Sequence, residues 1–192
     1  MLDAEPKLDF GDSWNDVVAV ELGAGIGLCS VVSSRLGMKV IATDGDESVL
    51  DQLAANAARN SSGAGKLQPA LLKWGDDAAP LEDELETMTS GGGANGGDGG
   101  GLPGLVMATG CVYGRDAGVW AALAKTLAQL SGPNTIIILA HGTGAAPGVH
   151  QLRGDFYALC SPHFHVGRVP MSAVHPDHQG VQLHVLRRKP GT

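Results

Sequence analysis

Short apolar runs alternate along the chain with segments whose apolar residues recur at every third or fourth position. The first run, Val17–Val20, is apolar throughout, which is typical of a strand buried on both faces of a parallel sheet. Further along, Asp46 is a candidate N-cap, and Val49, Leu53 and Ala57 share one helical face. The pattern predicts, in order, strand Val17–Val20, helix Ile26–Leu36, strand Lys39–Thr43, helix Asp46–Asn60, strand Leu67–Trp74, strand Gly104–Thr109, helix Asp116–Leu130, strand Thr135–Ala140 and helix Val149–Cys160.

The end of the chain departs from this alternation. Two strand-like segments, His163–Val169 and Val181–Arg187, follow one another with Pro176-Asp177 and Gly180 between them. Adjacent strands joined by a short turn pair antiparallel. The sequence therefore predicts an α/β fold with a doubly wound, mostly parallel seven-stranded sheet and an antiparallel C-terminal strand.

One segment shows neither pattern. Residues 91–101 hold eight glycines in eleven positions, and the acidic stretch Glu82–Glu86 precedes them. Such a segment buries too little apolar surface to offset the entropy of ordering it. We expect a single domain over residues 1–192, with a flexible glycine-rich insertion at 82–103.

The overall charge narrows the choice of partners. The formal net charge at pH 7 is −7, and no basic stripe could neutralise phosphates, so we expect no nucleic-acid partner. No run approaches the roughly 20 apolar residues of a membrane span. The acidic N-terminal residues lack the apolar core of a signal peptide, and we expect no membrane association. These features favour a monomer in the cytoplasm or the nucleus.

The cysteines add little to this picture. Cys29, Cys111 and Cys160 are odd in number and far apart in the sequence. In a protein of the cytoplasm they are expected to be reduced thiols in the core, and Cys111 is the one of the three that could line a site.

A glycine-rich turn follows the first predicted strand. It reads Glu21-Leu22-Gly23-Ala24-Gly25-Ile26-Gly27-Leu28, and Asp44 lies 21 positions beyond Gly23, at the end of the second apolar run. Glycines let the backbone turn sharply and approach a ligand, and a carboxylate at the tip of the next strand suits a ribose diol. A tight turn or close helix packing would also use glycine. The pairing with Asp44 favours a nucleotide-type cofactor.

Other chemistries have little support. The pairs His163/His165 and His175/His178 have no nearby third metal ligand, so we expect no metal site. The chain contains no Gly-x-Ser-x-Gly elbow and no phosphate loop ending in Gly-Lys-Ser/Thr. No tyrosine is followed four residues later by lysine, as one class of nicotinamide reductases requires. Leu28 also stands where a dinucleotide-binding turn needs a third glycine.

Taken together, the motifs resemble those of a known family. The chain is similar to the seven-β-strand methyltransferases that use S-adenosylmethionine (SAM), and within them to the protein-lysine methyltransferase-like group called methyltransferase family 16. The resemblance covers about residues 17–189. It implies a class I, Rossmann-like fold, and it rests on Glu21–Leu28, Ala42–Asp44, Asn56 and Asn60, Leu72–Asp76, and Ala108–Tyr113.

The resemblance implies roles for the matching residues. The turn 23–25 would pass beneath the methionine part of SAM, and Asp44 would accept hydrogen bonds from both ribose hydroxyls. Trp74 would lie by the adenine, and Thr109 and Gly110 would border the methyl-transfer pocket. The expected cofactor-binding residues are Glu21, Gly23, Ala24, Gly25, Gly27, Asp44, Trp74, Thr109 and Gly110.

On the substrate side, Tyr113 is expected to orient the incoming amine, and Asp116 is the nearest carboxylate that would attract it. Members of the group usually carry aspartate where Gly110 and Gly114 stand. The function implied is transfer of a methyl group from SAM to a protein lysine. A small-molecule N-methyltransferase, a non-catalytic binding module and a nicotinamide-dependent oxidoreductase remain as alternatives.

Overall fold

The computed structural model describes residues 13–191 except 16, 61–64, 90–100, 143–148 and 179, and for residues 149–153 it describes the backbone only. Within these residues, seven strands form one sheet and five helices flank it. The strands are β1 (Val18–Leu22), β2 (Lys39–Asp44), β3 (Lys66–Leu71), β4 (Leu105–Thr109), β5 (Ile136–Gly142), β6 (Phe164–Arg168) and β7 (Val181–Arg188). The helices are α1 (Leu28–Arg35), α2 (Glu47–Arg59), α3 (Glu82–Thr89), α4 (Ala117–Gln129) and α5 (Val149–Cys160).

The strands lie in the order β3-β2-β1-β4-β5-β7-β6. All neighbours from β3 to β5 pair in parallel, whereas β7 pairs antiparallel with both β5 and β6. The chain runs outward from β1 to β3 and then returns to place β4 on the other side of β1. Such a reversal opens a crevice at the carboxyl ends of β1 and β4, where open α/β sheets bind ligands. The predicted fold class is confirmed.

Apolar residues of the strands form a core on each face of the sheet. On one face, Val20 and Leu22 of β1 belong to a large cluster with buried side chains of α3, α4 and α5. On the other face, Val17 and Ala19 belong to a smaller cluster, and α1 and α2 contact β2 and β3. Helices on both faces of a parallel sheet explain why the strands are nearly continuous apolar runs.

Helix α1 buries the face opposite to the one that its apolar residues predicted. Val32 and the flanking residues Ile26 and Leu36 are more than half exposed, whereas Ser30 and Ser33 are buried. The Ser30 amide donates to Glu21 of β1 at 2.9 Å, and the Ser33 hydroxyl lies 3.7 Å from the sulfur of Met107 on β4. Small serines let the helix lie close to the sheet, and these contacts satisfy their polar groups.

The segment assigned to a flexible insertion begins with ordered structure. A 3₁₀ turn at Ala79–Leu81 leads into α3, and Leu81, Leu85 and Met88 are buried in the large core cluster. The spacing of these three residues places them on one side of the turn and helix, so the acidic stretch between them stays at the surface. The expectation of flexibility was wrong for residues 82–89. Residues 90–100 lie outside the described part of the chain.

Candidate cofactor-binding site

The glycine-rich turn after β1 is held in a left-handed conformation. Gly23, Gly25 and Gly27 have φ values of 65°, 53° and 84°. The amide of Ala24 donates to the carbonyl of Thr43 at 2.8 Å, which joins the turn to the end of β2. A Cβ atom on Gly23 would lie 2.9 Å from the sulfur of Cys111 and 3.0 Å from the Trp74 ring. Glycine is therefore required at position 23 by both conformation and space.

Asp44 ends β2 and faces this turn. Its Oδ2 accepts a hydrogen bond from the Gly25 amide at 2.8 Å, and its Oδ1 accepts one from the Asp46 amide at 3.0 Å. A carboxylate has about four acceptor positions, so Asp44 retains the capacity to bind a pair of hydroxyls. The carboxylate therefore both fixes the turn and faces the cavity beside it.

A cavity of about 480 Å³ opens at the carboxyl ends of the central strands, which is within the range of small-molecule sites. It contains six of the predicted site residues, and it excludes Glu21, Ala24, Gly25, Gly27 and Asp116. The lining residues are Gly23, Asp44, Gly45, Asp46, Lys73, Trp74, Thr109, Gly110, Cys111, Tyr113, Val119 and Ala122.

Two aromatic residues form one wall of the cavity. The ring centroids of Trp74 and Tyr113 are 6.4 Å apart, with planes inclined at 53°. The backbone at both residues is anchored to α4, because the Gly75 amide donates to Thr126 at 2.8 Å and the Trp120 indole donates to the Tyr113 carbonyl at 3.0 Å. Tyr113 itself is 63% exposed, so its hydroxyl is accessible at the mouth of the cavity.

Glu21 lies behind the turn rather than in the cavity. It is 3% exposed, and its carboxylate accepts hydrogen bonds from both the amide and the hydroxyl of Ser30. Burial raises the pKa of Glu21, and the hydrogen bonds from Ser30 oppose that shift. The structure thus gives Glu21 a supporting position, in which it attaches the start of α1 to the end of β1.

Asp116 caps α4. Its carboxylate accepts hydrogen bonds from the amides of Gly118 at 2.8 Å and Val119 at 3.4 Å. Aspartate before a helix satisfies amides that have no partner within the helix. Because Val119 lines the cavity, Asp116 shapes the site without facing it.

On the β4 side, two glycines stand where the family resemblance implies aspartates. Gly110 and Gly114 have φ values of 70° and 67°, and the Gly110 amide donates to the Ala140 carbonyl at 2.9 Å. A Cβ atom at Gly110 would meet nothing within 4 Å. There is space for a side chain at position 110, but its backbone would be strained.

Some lining residues were not among the predicted cofactor-binding or substrate-side residues, although Cys111 was the cysteine expected to be able to line a site. Cys111 is 4% exposed, with its sulfur 3.1 Å from the Leu22 carbonyl, and burial raises its pKa to about 12. Its thiol is therefore protonated at neutral pH and serves as packing beneath Gly23. Lys73 and Asp46 follow β3 and β2. The place of Asp46 just after a predicted strand was a signal that could have identified it, whereas Lys73 lay inside the predicted strand Leu67–Trp74, which was three residues too long. All three cysteines are free; Cys111 and Cys160 lie in the core as expected, whereas Cys29 is only partly buried.

Asn56 supports the site from α2. Its side-chain amide donates to the Ile26 carbonyl at 2.8 Å, so it holds the end of the glycine-rich turn. Among the described residues, no group of three His, Cys, Asp or Glu side chains could hold a metal ion. None of the helices in the described part of the chain is long and apolar enough to cross a membrane.

Comparison with known proteins gives a family match in the N-terminal half. The model of the lysine methyltransferase family called methyltransferase family 16 matches residues 5–89. The chain is 30% identical to EEF1A lysine methyltransferase 3 of Xenopus tropicalis over 145 residues, which are 72% of this chain and 54% of the relative. It is 45% identical to protein-lysine methyltransferase METTL21E of Mus musculus over 62 residues, which are 31% of this chain and 25% of that protein. The chain thus spans about half or less of the length of these relatives.

A solved structure shares the fold. The TehB-like SAM-dependent methyltransferase of Corynebacterium glutamicum superposes with a TM-score of 0.61 at 11% identity, over 91% of this chain and 82% of that one. The class I, Rossmann-like fold and the resemblance drawn from the motifs are confirmed by these findings.

Proposed function

We propose that the chain uses SAM to methylate a lysine side chain of a protein, because it is similar to proteins of the lysine methyltransferase family. The observation that carries the proposal is the placement of Asp44 and Trp74 in one cavity, at the tips of adjacent strands beside a turn that only glycine can form. The comparisons do not favour the nicotinamide-dependent alternative.

The cavity lining fits the parts of SAM. Asp44 would accept hydrogen bonds from the ribose diol, which is a charge-assisted arrangement. The Trp74 ring offers a large apolar face to adenine. The methionine part would lie against the backbone of Gly23, which lines the cavity, with Thr109 and Gly110 bordering the methyl group. Ala24, Gly25 and Gly27 shape the turn, and Glu21 supports it from behind.

The reaction requires alignment more than acid chemistry. When bound, SAM supplies an activated methyl group on a sulfonium. The lining residues hold the donor while the amine approaches in line, and they keep bulk water away from the reacting atoms. The lysine must arrive as a neutral amine, and partial burial favours that form because desolvation lowers an ammonium pKa. Tyr113, accessible at the mouth, would orient the amine through its hydroxyl.

The substrate is proposed to be a protein. The acidic chain, with its net charge of −7, suits a basic surface around the target lysine and gives no reason to expect nucleic acid. The name of the Xenopus relative makes EEF1A the first substrate to test. We further propose that the domain acts as a monomer, in the cytoplasm or the nucleus.

Calorimetry and labelling test the proposal. We expect titration with S-adenosylhomocysteine to give a saturable heat and titration with NAD to give none. Incubation with radiolabelled SAM and either EEF1A or a cell extract should label a protein, and mass spectrometry should place the label on lysine. Tighter binding of NAD than of S-adenosylhomocysteine would exclude SAM as the cofactor. Label on a small molecule and on no protein would exclude a protein substrate.

A further inference from the structure

Three polar rings meet at the end of β5, outside the lining of the cavity. The hydroxyl of Tyr157 on α5 shares a hydrogen bond with Nε2 of His141. The Tyr157 ring lies against that of His184 on β7, with centroids 4.3 Å apart, and the His141 and His184 centroids are 5.6 Å apart. His141 is 3% exposed, whereas the other two are half-buried. We call these three residues the β5-end cluster.

Packing alone does not account for this cluster. Its neighbours Leu139 and Phe156 are fully buried apolar residues of the large core cluster. Leucine or phenylalanine at position 141 would attach α5 to the sheet without the free-energy cost of burying an imidazole. Burying polar rings here costs more free energy than burying apolar side chains would. The use of two histidines and a tyrosine therefore points to a chemical role.

The β5-end cluster borders the candidate site through β4. Thr109 pairs with Ala140, and the Gly110 amide donates to the Ala140 carbonyl at 2.9 Å. Because His141 follows Ala140 in β5, these contacts place Gly110, a lining residue of the cavity, beside the start of the β5-end cluster. Because a Cβ at Gly110 would meet nothing within 4 Å, a substrate side chain has open space over this position.

Methyl transfer to lysine needs a proton acceptor on this side of the site. An ammonium group has no lone pair, so it must lose a proton before it attacks the methyl carbon. The lining carboxylates, Asp44 and Asp46, follow β2, which is separated from β5 by β1 and β4. An imidazole titrates near neutral pH and is a suitable acceptor at the β5 side.

We propose that Tyr157 and His141 form a proton relay for the substrate lysine; this inference rests on the proposed function. The ammonium proton passes to the phenolic oxygen of Tyr157 while the tyrosine's own proton passes to Nε2 of His141. The products are a neutral amine, a neutral tyrosine and an imidazolium. The amine lone pair then forms the bond to the methyl carbon as the carbon–sulfur bond breaks and its electron pair goes to sulfur. The imidazolium later returns its proton to solvent through the same hydroxyl.

His184 is a positioning residue in this relay, because its ring contact fixes the plane of Tyr157. The Tyr157 ring from α5 and the His184 ring from β7 both face His141. Next to the cluster, β4 ends at Thr109, which pairs with Ala140.

Two variants separate the relay from a structural role. In His141→Gln the side-chain amide can keep the bond to Tyr157 but cannot take up a proton, and Tyr157→Phe removes the hydroxyl while keeping the ring. His163→Gln, an exposed histidine just before β6, is the matched control. The measurements are kcat and KM on a substrate that the parent methylates, affinity for S-adenosylhomocysteine, and melting temperature.

We expect both relay variants to lose about 100-fold in kcat at neutral pH, the usual effect of removing a general base, with KM and cofactor-product affinity unchanged. Their rates should rise about tenfold per pH unit up to the ordinary lysine pKa. Without the relay, the substrate lysine loses its proton only to solvent, so the fraction of free amine follows the pH of the solution. The rates of the parent and of His163→Gln should stop rising at a lower pH than the rates of the two relay variants.

A His141→Gln rate within about twofold of the parent, or an unchanged pH profile, would overturn the relay. Loss of cofactor-product affinity or of the folded state in both variants would also overturn it, by showing that the cluster is structural. These results leave the proposed function intact when the parent methylates lysine. A parent that methylates no protein overturns the proposed function and the relay together.

Discussion

The Oδ2 atom of Asp44 accepts a hydrogen bond from the amide of Gly25 at 2.8 Å, so the carboxylate that faces the cavity also fixes the turn beside it. One side chain therefore sets the shape of the turn and supplies acceptors for a ribose. Replacing it should affect cofactor binding in two separable ways.

Asp44→Ala should weaken binding of S-adenosylhomocysteine by about 10-fold or more, since hydrogen bonds to a charged group are worth about 1.5–3 kcal/mol. Asp44→Asn keeps one acceptor for the Gly25 amide, so we expect it to bind with intermediate affinity. Calorimetry measures both. Asp76→Ala removes an exposed carboxylate that does not line the cavity and should bind as the parent does. Unchanged affinity in a folded Asp44→Ala protein would refute the assignment.

The second prediction concerns Glu21 and pH. Burial raises its folded pKa above the ordinary value of 4.5, so folding favours the neutral carboxyl. The stability that this provides is present below pH 4.5 and is lost as pH rises through the folded pKa. Glu21→Gln keeps an acceptor for the Ser30 amide without a buried charge. Its melting temperature should therefore exceed that of the parent at pH 7 by a few degrees, and the difference should shrink on acidification.

Asp51→Asn, an exposed carboxylate on α2, serves as the control and should leave the melting temperature nearly unchanged at every pH. A Glu21→Gln protein that melts well below the parent at pH 7 would mean that the charged carboxylate is preferred at this position, contrary to the direction of the shift.

The sequence predicted the sheet well because its buried parallel strands are short apolar runs that alternate with helical segments along the chain. The same runs located Asp44, since functional side chains follow the carboxyl ends of such strands. Trp74 and Gly110 came from the family resemblance. The role of Asp116 was harder to predict, because an aspartate before a helix can either cap the helix or take part in the chemistry of a site. Only coordinates show that its Oδ1 atom accepts hydrogen bonds from the amides of Gly118 and Val119.

Helix α1 shows a second limit of sequence patterns. Apolar spacing shows which residues share a face, but it does not show which face is covered. Here Ser30 and Ser33 face the sheet, because Glu21 and Met107 provide contacts for them, and the apolar face is exposed. The order of helix α3 was not predicted for a related reason. Its two buried residues, Leu85 and Met88, stand among acidic and polar residues, so the segment shows no clear apolar pattern.

The third prediction uses this inversion. Val32→Gln and Leu28→Gln replace residues that are 51% and 71% exposed, so each should change the free energy of unfolding by no more than about 0.5 kcal/mol. Ser33→Leu places a larger side chain against the sheet and should cost about 1–3 kcal/mol. Urea unfolding followed by circular dichroism measures all three. A large loss from Val32→Gln would show that this face packs against another part of the protein.

The last prediction concerns Gly110, where the family resemblance implies an aspartate. We expect weak or narrowly selective methylation by the parent, because no carboxylate stands there to orient an amine. Gly110→Asp fits the open space, but its φ of 70° strains any other residue. Gly110→Ala should cost about 1–2 kcal/mol of stability, and Gly110→Asp somewhat less, because aspartate tolerates this conformation better.

Comparing these two variants separates strain from charge. Both carry a Cβ at the same backbone position, and only Gly110→Asp restores the carboxylate, so lysine methylation from radiolabelled SAM should be higher in Gly110→Asp than in Gly110→Ala and than in the parent. Cofactor-product affinity, measured on all three proteins, checks that the turn is intact. Vigorous methylation by the parent that Gly110→Asp abolishes would instead show that glycine is the working residue, because the open space over β4 would then be what the substrate requires.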